Sequence, residues 1–135
     1  MKRVFLDANT LISSIVFSGP EHDLLKLGIR KEFEFVTSED VIGELIEVLN
    51  RKFPEKVFFV KEFLKLAEVK VIASKDYEKL IERQKVRDAE DKHVLAAAIA
   101  VKSDFLVTGD KDLFILKKRG RMAILTTKEL LAGSI

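Results

Sequence analysis

The sequence predicts an α/β protein: a three-layer α/β/α sandwich with a central, mainly parallel sheet of five strands. Short apolar runs alternate along the chain with segments of helical periodicity. This alternation is typical of parallel strands joined by right-handed crossover helices. Two of the runs, around Leu6 and around Leu106, lack the alternation of a half-exposed strand. We therefore expect these two strands to lie at the centre of the sheet, buried on both faces.

The remaining elements follow from apolar periodicity and from capping and breaking residues. After the strand around Leu6, further strands are expected at 33–37, 69–72, 104–108 and 122–125. The strand that contains Lys70 is expected near an edge. Helices are expected at 10–17, 20–28, 38–53, 56–68, 74–83, 89–101, 113–118 and 126–131. The residues that break or cap them are Gly19-Pro20, Gly28, Ser38, Ser74 and Thr126.

The composition predicts a soluble, cytoplasmic protein. The chain has 135 residues, of which 47% are hydrophobic and 34% charged, so we expect one domain over 1–135. No apolar run approaches the roughly 20 residues that span a bilayer. The N-terminus lacks the apolar segment of a signal peptide, so no membrane partner is expected. The net charge of +2 neither requires nor excludes a nucleic-acid partner.

The absence of cysteine limits the chemistry that the chain can carry. It excludes disulfides, thiol nucleophiles and thiolate metal sites. The chain has two histidines, His22 and His93, and neither lies in a pattern typical of metal ligands. Any bound metal ion must therefore be held mostly by oxygen.

Carboxylates follow both of the predicted central strands. Asp7 ends the first run, and Asp110 follows the run that contains Leu106. Because parallel strands end at the same edge of a sheet, the two carboxylates can share one crevice. Asp7 could alternatively cap the helix that follows it. Asp112 could help at the same site, or it could be a solvated acid in a turn.

A third acid lies on the helix expected at 89–101. Asp91 falls in the middle of its apolar stripe, where an ionised group is costly to bury without a partner. The alternative is that Asp91 complements the positive end of the helix dipole. Asp88 lies one turn earlier and suits the N-cap position. His93 falls on the opposite face, which predicts a solvated side chain.

Glu44 is a fourth candidate, because it lies at the edge of the apolar stripe of the helix after the second strand. Four carboxylates on one rim would repel one another, at about 4 kcal/mol for a pair 4 Å apart where the effective dielectric constant is near 20. Such a cluster needs a divalent cation, or some members must be protonated. Oxygen ligands favour Mg²⁺ or Mn²⁺.

The residues around these acids resemble those of the PIN domain, the nuclease fold of VapC-type toxins in prokaryotic toxin–antitoxin pairs. The family's opening strand ends in Asp, a small residue and then Asn, Ser or Thr, as in Leu6-Asp7-Ala8-Asn9-Thr10. The family's other three acids match Glu44 after the second strand, Asp91 in Asp-x-x-x-Leu-Ala-x-Ala, and Asp110 in Thr108-Gly109-Asp110. The resemblance covers nearly the whole chain and is closest to the branch described as toxin components.

The resemblance implies metal-dependent hydrolysis of RNA phosphodiester bonds. It implies that Asp7, Asp91 and Asp110 hold Mg²⁺ or Mn²⁺ and that Glu44 positions the attacking water. Asn9 and Thr108 would support these acids. Asp88 and Asp112 leave open which acid of each pair touches the metal ion, although helical phase favours Asp91 over Asp88.

The resemblance also implies partners: an RNA substrate, a small antitoxin protein and a second copy of the chain in a homodimer. The phenylalanines at 53, 58, 59 and 63 could form such a contact surface, or they could belong to the core.

Two other functions are compatible with the same residues. A haloacid-dehalogenase-like phosphatase also opens with a strand that ends in Asp-x-Asp-x-Thr, but Asn9 stands where its general acid belongs. The other alternative is a catalytically silent PIN-like module that binds RNA or protein without cleaving it.

Overall fold

A computed structural model describes residues 1–17 and 20–133. Its strands form one sheet in the order β3-β2-β1-β4-β6-β5. Their bounds are β1 (Arg3–Leu6), β2 (Glu34–Ser38), β3 (Lys70–Ile72), β4 (Phe105–Val107), β5 (Lys118–Arg119) and β6 (Met122–Leu125). As predicted, β1 and β4 lie side by side at the centre and β3 lies at an edge.

The sheet is mostly parallel and has one strand more than the five predicted. The extra strand, β5, pairs antiparallel with β6 in the register Lys118↔Ala123 and Arg119↔Met122. Gly120 makes the tight turn between them, with φ at +62°. A two-residue strand of exposed basic residues carries no apolar periodicity, so the sequence predicted a helix up to Lys118 instead.

The helices lie close to their predicted positions. They are α1 (Ala8–Val16), α2 (Pro20–Ile29), α3 (Glu39–Lys52), α4 (Val57–Leu66), α5 (Glu78–Ile81), α6 (Ala89–Ala100), α7 (Lys111–Phe114) and α8 (Thr127–Leu131), with 3₁₀ turns at Pro54–Lys56 and Ser74–Asp76. Gly19, part of the predicted break, lies outside the described residues. Among the described helices, none is long and apolar enough to cross a membrane.

Among the predicted serine and threonine caps, Ser38 and Thr126 are confirmed and Ser74 is not. The Ser38 hydroxyl accepts a hydrogen bond from the Val41 N–H, and Thr126 forms a capping box with Glu129. Ser74 caps no helix, because Tyr77 leaves the helical region at φ −132° and divides the predicted helix into a 3₁₀ turn and the short α5.

The core lies on both faces of the central strands, where Phe5, Leu6 and Leu106 are fully buried. Gly28 lies inside α2 and does not end it as predicted. A Cβ atom at Gly28 would come within 2.6 Å of the Phe35 ring. This glycine therefore lets α2 lie close against β2.

The topology gives the sheet two distinct ends. Strands β1, β2, β3, β4 and β6 are parallel, so their carboxyl ends form one rim. Helix α6 precedes β4 and runs from this rim back to the amino ends of the strands. The first turn of α6 and the carboxyl ends of β1 and β4 therefore lie on the same side of the molecule.

Candidate metal centre

Three carboxylates converge at the rim. Asp91, Asp110 and Asp112 each offer one oxygen, and these atoms lie within 4.8 Å of one another. Asp91 comes from the first turn of α6, Asp110 is the N-cap of α7, and Asp112 lies in the first turn of α7. Carboxylate oxygens at this spacing are suitable ligands for a hard divalent cation.

Asp91 is the most buried member of this group, with 5% of its surface exposed. Its Oδ2 atom is buried without a hydrogen-bond partner among residues 1–17 and 20–133. Burial, followed by the negative charge of Asp110, raises the pKa of Asp91 from 3.8 to about 7. An orphaned oxygen beside two other carboxylates fits a cation, which would supply the missing partner.

The two other members of the group are more accessible and are held by neighbouring groups. Asp110 Oδ1 accepts a 2.8 Å hydrogen bond from the Asp112 N–H. Arg87 Nη2 contacts both carboxylate oxygens of Asp112, at 2.8 and 3.1 Å. The pair is largely exposed, so it contributes little to stability. It does fix the position of the Asp112 carboxylate.

Asp7 is joined to this group through Thr108 but is not a member of it. Its Oδ1 caps α1 by accepting the Thr10 N–H at 2.9 Å, and its Oδ2 accepts the Thr108 hydroxyl. The Thr108 hydroxyl oxygen in turn accepts the Asp110 N–H at 3.0 Å. Burial raises the pKa of Asp7, although the hydrogen bond from Thr108 opposes the shift. Thr108 therefore fixes Asp7 relative to Asp110.

Glu44 lies on the same rim and outside the three-carboxylate group. It lines a cleft with Glu90 and His93. Burial is the main cause that raises the pKa of Glu44, and the negative charges of Glu90 and Asp7 also raise it. Glu44 is therefore near enough to Asp7 to be affected by its charge.

The two remaining sequence candidates flank the group. Asn9 is exposed and lines a cleft of about 430 Å³ that also contains Thr108 and Asp110. Asp88 is exposed and caps α6, accepting the Glu90 N–H at 2.8 Å as predicted. Asp91, and not Asp88, is therefore the acid of this helix that the structure places in the group.

The sequence interpretation missed a hydrogen-bonded trio beside Glu44. The buried Tyr77 hydroxyl donates to Asp40 Oδ2, and His93 Nδ1 lies 3.1 Å from the same oxygen. The His93 side chain is 43% exposed, which agrees with the predicted solvated residue, and it also has a partner that the sequence did not indicate. Burial raises the pKa of Tyr77 to about 12, followed by its hydrogen bond to Asp40. These contacts join positions 37 and 53 residues apart, so no local sequence pattern indicates them.

Comparison with known protein families decides the relationship. A family model of the PIN domain matches residues 3–112. This chain belongs to the PIN-domain family. The PIN-domain resemblance found in the sequence is thereby confirmed, and the three acids of the group lie within the matched region.

Comparison with solved structures shows that this PIN domain shares its fold with a chain of VapBC2 from Rickettsia felis. That chain comes from a crystal structure of VapBC2 bound to a DNA fragment from their promoter. The match covers 90% of this chain and 96% of that chain, with a TM-score of 0.65 and 17% sequence identity. No curated protein sequence matches the chain. The predicted fold class is confirmed.

The four phenylalanines that the sequence left open divide between core and surface. Phe63 is buried, with 2% exposed, and Phe53 is half-buried. Phe58 and Phe59 lie on α4 with 71% and 39% of their surfaces exposed. Two of the four thus remain available to a partner of this PIN domain.

Proposed function

We propose that this PIN domain is a Mg²⁺- or Mn²⁺-dependent endoribonuclease that hydrolyses RNA phosphodiester bonds, with residues 1–135 as a single nuclease domain. One observation carries the proposal. Asp91 has a buried oxygen without a partner among the described residues, and one of its carboxylate oxygens lies within 4.8 Å of oxygens from Asp110 and Asp112. PIN domains are generally nucleases that use divalent metal ions, and this all-oxygen donor set suits such an ion.

Asp91 and Asp110 are the principal metal ligands in this proposal. Asp7 stays in the ligand set because each of its oxygens accepts one hydrogen bond and keeps a second lone pair. Asp112 is an auxiliary ligand whose charge is partly balanced by Arg87. When bound, the cation would lower the pKa of a water and neutralise charge on the phosphoryl group.

Glu44 would position the attacking water. Its raised pKa makes it a better proton acceptor than an ordinary solvated glutamate. Asn9 would contact the substrate, since it is exposed beside Asp110. Thr108 would fix the positions of Asp7 and Asp110 relative to each other, because its hydroxyl bonds to both residues.

The phosphatase alternative is disfavoured by the surroundings of Asp7. Such a phosphatase needs a general acid two residues after its phosphate-accepting aspartate, and the residue at that position is Asn9. Family membership also favours a nuclease over a phosphatase.

We further propose that the protein is the cytoplasmic toxin of a toxin–antitoxin pair, a homodimer that binds a small antitoxin. The fold shared with VapBC2 of Rickettsia felis supports this proposal. The exposed Phe58 and Phe59 on α4 are candidates for a protein contact. Sedimentation should show a dimer at micromolar concentration. A monomer at that concentration would contradict the proposed homodimer.

The direct test is incubation of labelled single-stranded RNAs with Mn²⁺, comparing the wild type with Asp7→Asn. The wild type should cleave, and the variant should not. A matched control, Glu55→Gln, changes an exposed acid in the 3₁₀ turn after α3, at the end of that helix away from the rim, and should cleave like the wild type. If the wild type cleaves none of several RNAs and shows no thermal shift with metal, the catalytically silent binding module is correct instead.

A further inference from the structure

A cavity outside the acidic rim lies at the other end of the sheet. It has a volume of about 560 Å³ and is lined by the segments that precede β4 and β6, together with the end of α6 and part of α5. Helix α6 begins at the rim and has 12 residues, so it extends about 18 Å towards the amino ends of the strands. The cavity is therefore separate from the candidate metal centre.

Cations dominate the walls of this cavity. Arg83, Lys102, Arg119 and Arg121 line it, and an adjacent cleft of about 330 Å³ shares Arg83 and Arg119 and adds Lys85. We refer to these five residues as the basic groove. All five are exposed, and within the part of the chain that the structure describes none forms an ion pair.

The basic groove also contains fixed polar groups. Ser103 lines the cavity with 8% of its surface exposed, and its hydroxyl is buried without a partner among the described residues. Gln84 is 3% exposed, and its Oε1 accepts a 3.3 Å hydrogen bond from Arg119 Nε. The guanidinium of Arg119 is thus held in place by a buried amide. This organisation distinguishes the groove from a run of freely moving surface cations.

The charges around the groove are almost all positive. The acid that lines it is Asp104, whose Oδ2 already accepts the Arg3 N–H at 2.8 Å. Five cations and one engaged carboxylate leave an excess of positive charge that an anionic ligand would neutralise. Arginine forks suit phosphate oxygens in particular, because they donate two parallel hydrogen bonds.

We infer that the basic groove binds the backbone phosphates of single-stranded RNA at a site separate from the acidic rim. The cations extend over two adjoining clefts, which matches a series of phosphates better than a single one. The apolar residues that line the two clefts are aliphatic, so they offer no ring for base stacking. Binding should therefore depend little on sequence. The identification of the ligand as RNA rests on the proposed function, whereas the prediction that the groove binds phosphate groups does not.

The test is binding of a labelled, unstructured 12-nucleotide RNA, measured by fluorescence anisotropy in EDTA so that no cleavage occurs. The logarithm of the affinity should fall with the logarithm of salt concentration by about 0.7 per phosphate contact. The double variant Arg83→Gln/Arg121→Gln should reduce that slope by about 1.4 and weaken binding about tenfold at low salt. Circular dichroism checks that the variant folds.

The matched control is Lys61→Gln/Lys65→Gln, which removes the same charge from exposed positions on α4. It should leave the salt slope unchanged. Equal losses in the two double variants would show non-specific attraction and overturn the inference. So would the absence of RNA binding by the wild type at about 50 mM salt. Full competition by tripolyphosphate at equimolar concentration would also overturn it, because the site would then serve a small phosphorylated ligand.

This experiment separates the inference from the proposed function. Binding in EDTA does not require cleavage, so a protein that binds RNA in the groove and cleaves none would contradict only the nuclease proposal. A protein that cleaves RNA, and whose RNA affinity is unchanged by substitution of Arg83 and Arg121, would contradict only the inference.

Discussion

The acidic rim and the basic groove lie at opposite ends of the same sheet and differ in how their charges are solvated. At the rim, Asp7 and Asp91 are buried and their pKa values are raised by burial. In the groove, all five cations are exposed. Two like charges 4 Å apart cost about 1 kcal/mol in bulk water but about 4 kcal/mol at an effective dielectric constant near 20. We therefore expect the rim, and not the groove, to be coupled to folding stability.

Removing the buried charge of the rim should have the largest effect on activity. Asp91→Asn should lower Mn²⁺-dependent RNA cleavage by about 100-fold or more, since it removes a ligand from the centre of the group. Glu55→Gln, at an exposed position away from the rim, should cleave normally. Cleavage by Asp91→Asn at the wild-type rate would show that Asp91 has no part in the reaction.

Metal affinity should depend steeply on pH. Because burial raises the pKa of Asp91 to about 7, a proton competes with the cation below that pH. We expect the apparent Mn²⁺ affinity to rise about tenfold per pH unit up to about pH 7 and then to level off. Isothermal titration at several pH values measures this. A flat profile between about pH 5 and 8 would contradict the shift.

The metal-free protein should lose stability as pH rises. The folded state holds the Asp91 proton more tightly than the unfolded state, whose pKa is near 3.8. The stabilisation is therefore complete below about pH 4 and disappears as pH rises through about 7. At about pH 8, Asp91→Asn should raise the free energy of unfolding by about 1–3 kcal/mol. Urea denaturation in EDTA measures it, and a large loss of stability would indicate a structural role for Asp91.

The smallest effect is expected at the groove. Arg83→Gln/Arg121→Gln should change the free energy of unfolding by less than about 0.5 kcal/mol, because both side chains are exposed and unpaired among the described residues. Urea denaturation of the same protein used for RNA binding measures this. A loss above about 1 kcal/mol would mean that the groove, like the rim, is coupled to the fold.

The sequence predicted the rim better than the groove. Burial of Asp91 followed from its position on the apolar stripe of one helix, and the convergence of Asp7 and Asp110 followed from the direction of parallel strands. Asp112 was underestimated, because its place depends on the conformation of the loop after β4. The groove combines cations from three separate segments, which only the folded topology brings together.

Local sequence patterns were least informative at residues whose role depends on a contact with another segment of the chain. Gly28 looked like the end of a helix, and the structure shows it in contact with Phe35 of the neighbouring strand. Gly120 turns a basic run into the hairpin that joins β5 to β6. In each case, a local sequence pattern does not include the residues that determine the structure.

The most direct test of the central claim is an anomalous-scattering map from crystals soaked in Mn²⁺. We predict a peak within bonding distance of carboxylate oxygens of Asp91 and Asp110, and no peak there in Asp91→Asn crystals. A map in which Mn²⁺ binds elsewhere, with Asp91 Oδ2 still unpartnered, would contradict the account.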